Sequence, residues 1–160
     1  MAIKTGEKIG SVSLKTMAAD GIQEITTDEL FGGKKVVLFA LPGAFTPTCS
    51  TKHVPGFISN AAAIKAKGVD TIACISVNDA FVMGAWAADQ GTGDDILMLA
   101  DGNADFTRAV GLELDASGFG MGVRSQRYAM IVDDGTVTAL AVEDGPGLDV
   151  SAAEKILAQL

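Results

Sequence analysis

The chain has 160 residues, a hydrophobic content of 48% and a formal net charge of −8. This length and hydrophobic content are sufficient for one well-buried core, so we expect a single domain over residues 1–160. The acidic balance argues against a nucleic-acid binder and leaves no basic stripe for an anionic membrane surface. No uncharged apolar stretch reaches about 18 residues, so no membrane span is predicted.

The sequence contains two cysteines and one histidine, which limits its redox and metal chemistry. Two cysteines without a secretory leader do not form a disulfide framework, and residues 1–8 lack the apolar segment of a signal peptide. We therefore expect a reducing, cytoplasmic setting. One histidine and two cysteines also make a poor metal site, and no spacing resembles a zinc pattern, so we expect neither a metal nor a cofactor.

The first forty residues contain two strand patterns and one helix start. Val12 and Leu14 alternate with polar neighbours, as a short N-terminal strand does. Thr26-x-x-Glu29 is a capping-box pattern that predicts a helix start. The run Val36–Ala40 is β-branched and aromatic between glycine-containing boundaries, which predicts a buried central strand.

A helix is predicted directly after this strand. Thr48 is its expected N-cap, and the helix runs to about Lys67, with Gly68 as its C-terminal stop. Pro55 lies inside this helix and removes one backbone hydrogen bond, so we expect a kink near Thr51.

The rest of the chain alternates strand and helix patterns, which predicts an α/β fold with a mixed sheet, helices on both faces and short antiparallel strands at one edge. The turn Asp133–Thr136 has the chemistry of a β-hairpin, and Ser151-x-x-Glu154 is a second capping box. The predicted strands are Val69–Ser76, Ile96–Ala100, Tyr128–Val132 and Val137–Val142, and the predicted helices are Asp79–Asp89, Asn103–Val110 and one that begins at Ser151.

Cys49 lies in the first turn of the helix predicted after the central strand. Unpaired backbone N–H groups and the positive end of the helix dipole favour an anion there, so a nucleophilic thiolate should form. The alternative is a buried structural cysteine, which is a common fate of an isolated cysteine inside a protein.

The motif Pro42-x-x-x-Thr46-x-x-Cys49 resembles the peroxidatic motif of the peroxiredoxins. The similarity covers nearly the whole chain and is closest to the type II or type 5 branch, in particular its plant-type II members and bacterial relatives. Four segments carry it in order: Gly43–Ser50, His53–Phe57, Cys74–Asp79 and Arg127–Gly135.

The resemblance implies a thioredoxin-like fold and a peroxidase that reduces hydrogen peroxide and organic hydroperoxides. Cys49 would attack one peroxide oxygen and become a sulfenic acid. Thr46 and the Cys49 backbone N–H would donate hydrogen bonds to the transition state. Arg127 would stabilise the thiolate, because a guanidinium does not deprotonate. Pro42 would shield the sulfur from water.

The thiol that resolves the sulfenic acid is left open by the sequence. Thr46-x-x-Cys49 occupies the place where thioredoxin-fold redox enzymes carry Cys-x-x-Cys, so no local partner exists. Cys74 is one candidate, although its strand-like apolar context is typical of a buried core thiol. The other candidate is an external thiol, glutathione or a glutaredoxin (or thioredoxin), and the plant-type branch favours this route.

The remaining candidates have supporting roles. His53, four residues after Cys49, is either a base or charge partner or, as we favour, a structural residue behind the site. Arg124 either supports Arg127 or is a solvated surface residue. Family members pair through loops near the active site, so the resemblance implies a homodimer. Its candidate contacts are Phe45, Phe81 and Met83, each of which is alternatively a core residue.

Two other function classes use the same residues. A peroxide sensor or redox-controlled chaperone would pass the oxidation of Cys49 to a protein partner. A structural thioredoxin-fold module would carry inert cysteines.

Overall fold

The structure is a computed structural model that describes residues 1–160. It contains nine strands: β1 (Ser13–Ala18), β2 (Gly21–Thr26), β3 (Lys35–Ala40), β4 (Thr71–Ser76), β5 (Leu97–Ala100), β6 (Glu113–Asp115), β7 (Val123–Ser125), β8 (Tyr128–Asp133) and β9 (Thr136–Val142). The α-helices are α1 (Thr27–Phe31), α2 (Val54–Lys65), α3 (Ala80–Gln90), α4 (Asp105–Ala109) and α5 (Ala153–Leu157). Cys49–His53 forms a π-helical turn and Ser117–Phe119 a 3₁₀ turn. None of these helices combines the length and apolarity needed to cross a membrane.

Seven strands form one mixed sheet in the order β2-β1-β5-β4-β3-β8-β9, and β6 and β7 form a separate two-stranded ribbon. The β3–β4 and β4–β5 pairs are parallel, whereas β8 joins β3 antiparallel and pairs with β9 in a hairpin. The hairpin turn has positive φ at Asp134 and Gly135, as a two-residue turn of the predicted chemistry requires.

The core consists of two layers, one on each face of the sheet. Val37 and Phe39 of β3 pack on one face with residues of α2, α3 and α5, and the alternate residues Val36 and Leu38 pack on the other face with residues of α1 and α4. A strand that buries both faces lies inside the sheet. The predicted fold class, an α/β mixed sheet with helices on both faces, is therefore confirmed.

The sequence missed three strands, β2, β6 and β7, and one antiparallel edge of the main sheet. Strand β2 is an outer strand, and its central residues are exposed on both sides, so its sequence has no apolar alternation. Antiparallel strands consequently lie at both edges of the sheet rather than at one.

The predicted N-cap of the helix after β3 was wrong. Pro47 and Thr48 are already helical, and Thr48 has helical dihedral angles without a capping hydrogen bond. Proline suits the first helical position because its missing N–H would have no intrahelical partner there. Cys49 still lies in the first turn, as predicted.

The helix is irregular at the place that Pro55 predicts. Pro55 cannot donate a hydrogen bond to Thr51, and Cys49–His53 widens into a π-helical turn in which the Val54 N–H donates to the Cys49 carbonyl. Regular α-helix continues from there to Lys65.

Two predictions on individual side chains have opposite outcomes. The Thr26–Glu29 capping box is confirmed in both of its hydrogen bonds. The Ser151–Glu154 capping box is wrong, because Ser151 Oγ donates to the Glu143 carboxylate instead, and α5 begins after Ala152 without a side-chain cap.

Candidate active site

Cys49 lies at the start of the π-helical turn, where a loop has returned from the end of β3. Its side chain is only 1% exposed and belongs to the core layer formed by α2, α3 and α5. The loop contains Phe45 at a φ of +63°, an unusual conformation for a residue other than glycine. A buried cysteine in a helical first turn therefore lies behind a strained surface loop.

Sheet register brings Arg127 to Cys49 across 78 residues of sequence. In the antiparallel β3–β8 pair Ala40 lies opposite Tyr128, so Arg127 is positioned just beyond the end of β3, beside the loop that leads to Cys49. Arg127 Nη2 donates to Cys49 Sγ over 3.2 Å. The contact follows from strand pairing and is invisible to local patterns.

Arg127 is a buried cation without a carboxylate partner. It is 5% exposed, neither of the two ion pairs in the structure includes it, and its Nε has no hydrogen-bond acceptor. An uncompensated buried charge is costly. Its side-chain partners are Cys49 Sγ and the ring of His53, and of these two groups only the sulfur can carry a negative charge.

His53 holds the other side of the guanidinium. Arg127 Nη1 lies 2.9 Å from His53 Nδ1, and because arginine only donates, Nδ1 accepts this hydrogen bond. The ring proton is therefore on Nε2, which donates to the Ser151 carbonyl over 3.0 Å. Burial, followed by the charge of Arg127, lowers the pKa of His53 to about 3. His53 is neutral and fully engaged, so it lies behind the site and does not serve as a base for Cys49.

The low pKa of His53 makes the stability of the fold depend on pH. The folded-state value of about 3 lies below the ordinary value of 6.5, so in this interval the unfolded chain binds the additional proton. The contribution of neutral His53 to the stability of the fold is complete above pH 6.5 and is lost as the pH falls towards 3. We expect the unfolding free energy of the wild type to fall by about 1.4 kcal/mol per pH unit more steeply than that of His53→Gln. Urea unfolding at several pH values measures this slope, and parallel curves for the two proteins would contradict it.

The loop that carries Thr46 is fixed by its own hydrogen bonds. Thr46 Oγ1 donates to the Gly43 carbonyl over 2.6 Å, so in this state the hydroxyl can accept a hydrogen bond towards the site but does not donate one. The predicted donor role of Thr46 therefore requires rotation of the hydroxyl. Arg124 supports the same loop through Nη1, 3.4 Å from the Pro42 carbonyl, and donates through Nε to Met121.

A groove of about 620 Å³ opens beside Pro42, Thr46 and Arg127. The groove is also lined by Leu114, Phe119 and Met121 from the β6–β7 region and by Glu143 and Pro146. Phe119 is 86% exposed. The buried guanidinium is thus reached from a groove with an apolar wall.

Comparisons with known proteins identify the family. The profile of the Redoxin family matches residues 4–157. Peroxiredoxin-2E-2 from the rice chloroplast is 53% identical over 99% of this chain and 72% of its own length. Reduced Prx3 from Vibrio vulnificus, solved with hydrogen peroxide, is 56% identical with a TM-score of 0.94, covering 98% of both chains. This chain is a peroxiredoxin. Arabidopsis peroxiredoxin-2E is 48% identical over 99% of the chain and 70% of its own length, so the similarity to the plant-type II branch is confirmed. The chain is accordingly a thiol-dependent peroxidase.

The second cysteine of this peroxiredoxin is a core residue. Cys74 is completely buried in β4, opposite Phe39 of β3, and shares the core layer that contains Cys49. Burial raises the pKa of the Cys74 thiol well above its usual value, and the nearby charge of Cys49 adds to this shift. Both cysteines are free thiols. Cys74 is therefore neutral at physiological pH and closed to solvent.

The three residues proposed as dimer contacts lie in different environments. Phe45 and Phe81 are 54% and 67% exposed, whereas Met83 is completely buried in the core. The assignment of Met83 as a dimer contact was wrong, because the helical turn of α3 directs it into the α2–α3 layer. An Ala44 N–H to Asn78 Oδ1 hydrogen bond of 3.0 Å joins the Phe45 loop to the start of α3, near Phe81.

The sequence did not predict the contacts of several residues around the site. Glu143 follows β9 and resembles a surface acid, and Ser151 was interpreted as a helix cap. The Ser151 carbonyl nevertheless accepts a hydrogen bond from His53, and the Glu143 carboxylate accepts one from the Ser151 N–H. Trp86 Nε1 donates to Ser50 Oγ over 3.1 Å, next to Cys49. No local pattern indicates these contacts, because each joins residues at least 8 positions apart.

Proposed function

We propose that Cys49 is the peroxidatic nucleophile of this peroxidase. The observation that supports it is the buried guanidinium of Arg127, which forms no ion pair with a carboxylate and donates to the Cys49 sulfur over 3.2 Å. The thiolate attacks one oxygen of the hydroperoxide, the O–O bond breaks, and Cys49 becomes a sulfenic acid. The departing hydroxide or alkoxide takes up a proton and leaves as water or an alcohol.

The transition state spreads negative charge from the sulfur over two oxygens, so donors directed at this line of atoms accelerate the reaction. Arg127 supplies Nη2 at the sulfur and an Nε that has no partner in the resting site. Cys49, as the third helical residue, has an N–H without a carbonyl acceptor inside the helix. Thr46 would orient the incoming peroxide, and Pro42 would limit the access of water.

The proposed substrates are hydrogen peroxide and organic hydroperoxides. The groove of about 620 Å³ is far larger than hydrogen peroxide, and its apolar wall of Leu114, Phe119 and Met121 suits the organic part of a larger hydroperoxide.

Rapid mixing of the pre-reduced protein with hydrogen peroxide tests the proposal. Trp86 is the single tryptophan and contacts Ser50, so its fluorescence reports on the turn that carries Cys49. A rate constant orders of magnitude above that of an ordinary thiol supports the proposal. A rate no faster than that of free cysteine would contradict it.

For the second half of the cycle we propose an external thiol, glutathione or a glutaredoxin, with thioredoxin as the alternative. Cys74 lies in a central strand with no exposed surface, and its raised pKa leaves it protonated. Only a thiolate attacks the sulfenic sulfur efficiently. Because Cys49 is 1% exposed, the π-helical turn has to open before an external thiol makes contact.

Replacement of Cys74 tests the route of resolution. We expect Cys74→Ala to oxidise with peroxide and to turn over with glutathione and glutaredoxin at the wild-type rate, within about twofold, because no step uses its sulfur. Coupled consumption of NADPH by glutathione reductase measures the turnover. Normal oxidation combined with loss of turnover would instead assign the resolving role to Cys74.

We also propose that the protein forms a homodimer through the exposed pair Phe45 and Phe81, as the resemblance implies. Two large aromatic side chains that are more than half exposed lie close to the active-site loop. Burying aromatic side chains stabilises interfaces strongly.

Sedimentation velocity tests this interface. We expect Phe81→Glu to shift a dimer to a monomer, because a carboxylate in the centre of an apolar contact is left without a partner. The matched control is Phe119→Glu, the same substitution at a side chain that is 86% exposed in the groove wall. A wild type that sediments as a monomer, or a Phe81→Glu variant that remains a dimer, would contradict the proposal.

The alternative function, a peroxide sensor or redox-controlled chaperone, is not favoured by the comparisons. The cytoplasmic location stays a prediction, and the rice relative is a chloroplast protein.

A further inference from the structure

A chain of hydrogen bonds extends from the surface acid Glu143 to the sulfur of Cys49. Glu143 Oε2 accepts from the Ser151 N–H over 2.8 Å and from Ser151 Oγ over 2.7 Å. The Ser151 carbonyl accepts from His53 Nε2 over 3.0 Å, and His53 Nδ1 accepts from Arg127 Nη1 over 2.9 Å. Arg127 Nη2 then donates to Cys49.

The direction of every bond in this chain is fixed. Arginine only donates, so His53 needs its lone pair on Nδ1 and its proton on Nε2, and the Nε2 proton needs the Ser151 carbonyl as its acceptor. Ser151 is completely buried, and the ring of His53 packs against the stacked rings of Phe39 and Phe57, with centroid distances of 5.0 Å and 5.6 Å. The ring is thus fixed in place, and Arg127 on one side and the Ser151 carbonyl on the other both require the Nε2–H tautomer.

Glu143 is the residue that fixes Ser151. The Glu143 carboxylate accepts a third hydrogen bond, from the Asp149 N–H over 2.8 Å. Together these hydrogen bonds close the loop between residues 143 and 151. The Glu143 N–H also donates to the Arg127 carbonyl over 2.9 Å, so Glu143 contacts the backbone of the same arginine. Partial burial raises the pKa of Glu143, but the hydrogen bonds from Ser151 and Asp149 outweigh it and lower the pKa overall, so the carboxylate is ionised.

We propose that Glu143 is a positioning residue of this peroxidase, which acts through Ser151 and the Nε2–H tautomer of His53 to hold Arg127 against Cys49. The inference rests on the proposed function of Arg127 and Cys49. It assigns the loop 143–151 to the active site, although none of its side chains contacts the sulfur.

Glu143→Ala tests the proposal, because alanine has no acceptor for the hydrogen bonds from Ser151 that one carboxylate oxygen now receives. The matched control is Glu113→Ala, the same substitution at an exposed side chain without hydrogen bonds. His53 is the only histidine, so ¹⁵N NMR of its ring reports the tautomer without assignment. The rate of peroxide oxidation and the ultraviolet absorbance of the thiolate are measured in the wild type and in both variants.

We expect a single Nε2–H tautomer in the wild type and in Glu113→Ala, and a mixture in Glu143→Ala. Peroxide oxidation of Glu143→Ala should slow by about ten- to hundredfold, the range for outer-shell partners that orient a functional side chain. The thiolate fraction at a given pH should fall. Loss of the negative charge of Glu143 alone would increase the thiolate fraction. A decrease in this fraction therefore arises only from lost positioning of Arg127.

A Glu143→Ala protein with the wild-type tautomer and the rate of Glu113→Ala would overturn the proposal. If Glu143→Ala does not fold, Glu143→Asp retains the charge but shortens the side chain, and wild-type behaviour of this variant would be equally decisive against the proposal. The two proposals are tested by different measurements. Slow peroxide oxidation of the wild type would refute the role of Cys49, whereas the His53 tautomer in the Glu143 variants tests the role of Glu143 alone.

Discussion

Replacing Cys49 with serine is expected to abolish peroxide reduction, lowering the rate by at least about 10⁴-fold, to the background of the uncatalysed reaction. A serine hydroxyl does not ionise at neutral pH even beside a guanidinium, and oxygen is a poorer nucleophile than sulfur towards a peroxide bond. The side chains differ by one atom, so the first helical turn and the contact with Arg127 can persist. Loss of activity would then report the chemistry of the sulfur and not a change of fold.

The experiment compares single-turnover oxidation by hydrogen peroxide in the wild type, Cys49→Ser and Cys74→Ala. Circular dichroism and the unfolding midpoint show whether each variant is folded. Residual fast oxidation in folded Cys49→Ser would identify another group as the nucleophile, and Cys74→Ala would then show whether it is the buried second thiol. With no fast oxidation in Cys49→Ser, the first step belongs to Cys49.

Arg127→Gln is expected to slow peroxide oxidation by about 10²- to 10³-fold, the loss found when one preorganised donor is removed from a developing negative charge. Arg127 is 5% exposed and lies 3.2 Å from Cys49 Sγ, so water cannot substitute for its charge. Glutamine can still donate a hydrogen bond but carries no charge. The thiolate fraction at neutral pH should therefore fall together with the rate, because the buried anion loses its counterion.

Arg108→Gln is the control for this substitution. Arg108 is exposed on α4, where its Nη1 donates to the Asn103 carbonyl, and it has no contact with the site. We expect its oxidation rate and thiolate absorbance to match the wild type. Equal rates for Arg127→Gln and Arg108→Gln would show that the 3.2 Å contact has no part in the chemistry.

The sequence determined the fold class because the local signals agree with the tertiary structure. The run Val36–Ala40 is apolar on both faces and forms an interior strand, and the Asp133–Thr136 turn forms the predicted hairpin. Strand β2 was missed, since an outer strand with exposed residues has no apolar period. Met83 was misassigned because its burial depends on how α3 packs on α2, which sequence spacing does not specify.

The sequence also identified Cys49, because a cysteine in the first turn of a helix after a buried strand is a local pattern. It could name Arg127 only through the family resemblance, since these residues are 78 positions apart and only the β3–β8 register brings them together. It gave no indication of Glu143, and it assigned Ser151 to a helix cap that does not form. The surroundings of the sulfur were decided by tertiary structure, because the pairing of strands and the closure of the 143–151 loop determine which polar groups become neighbours in a buried space.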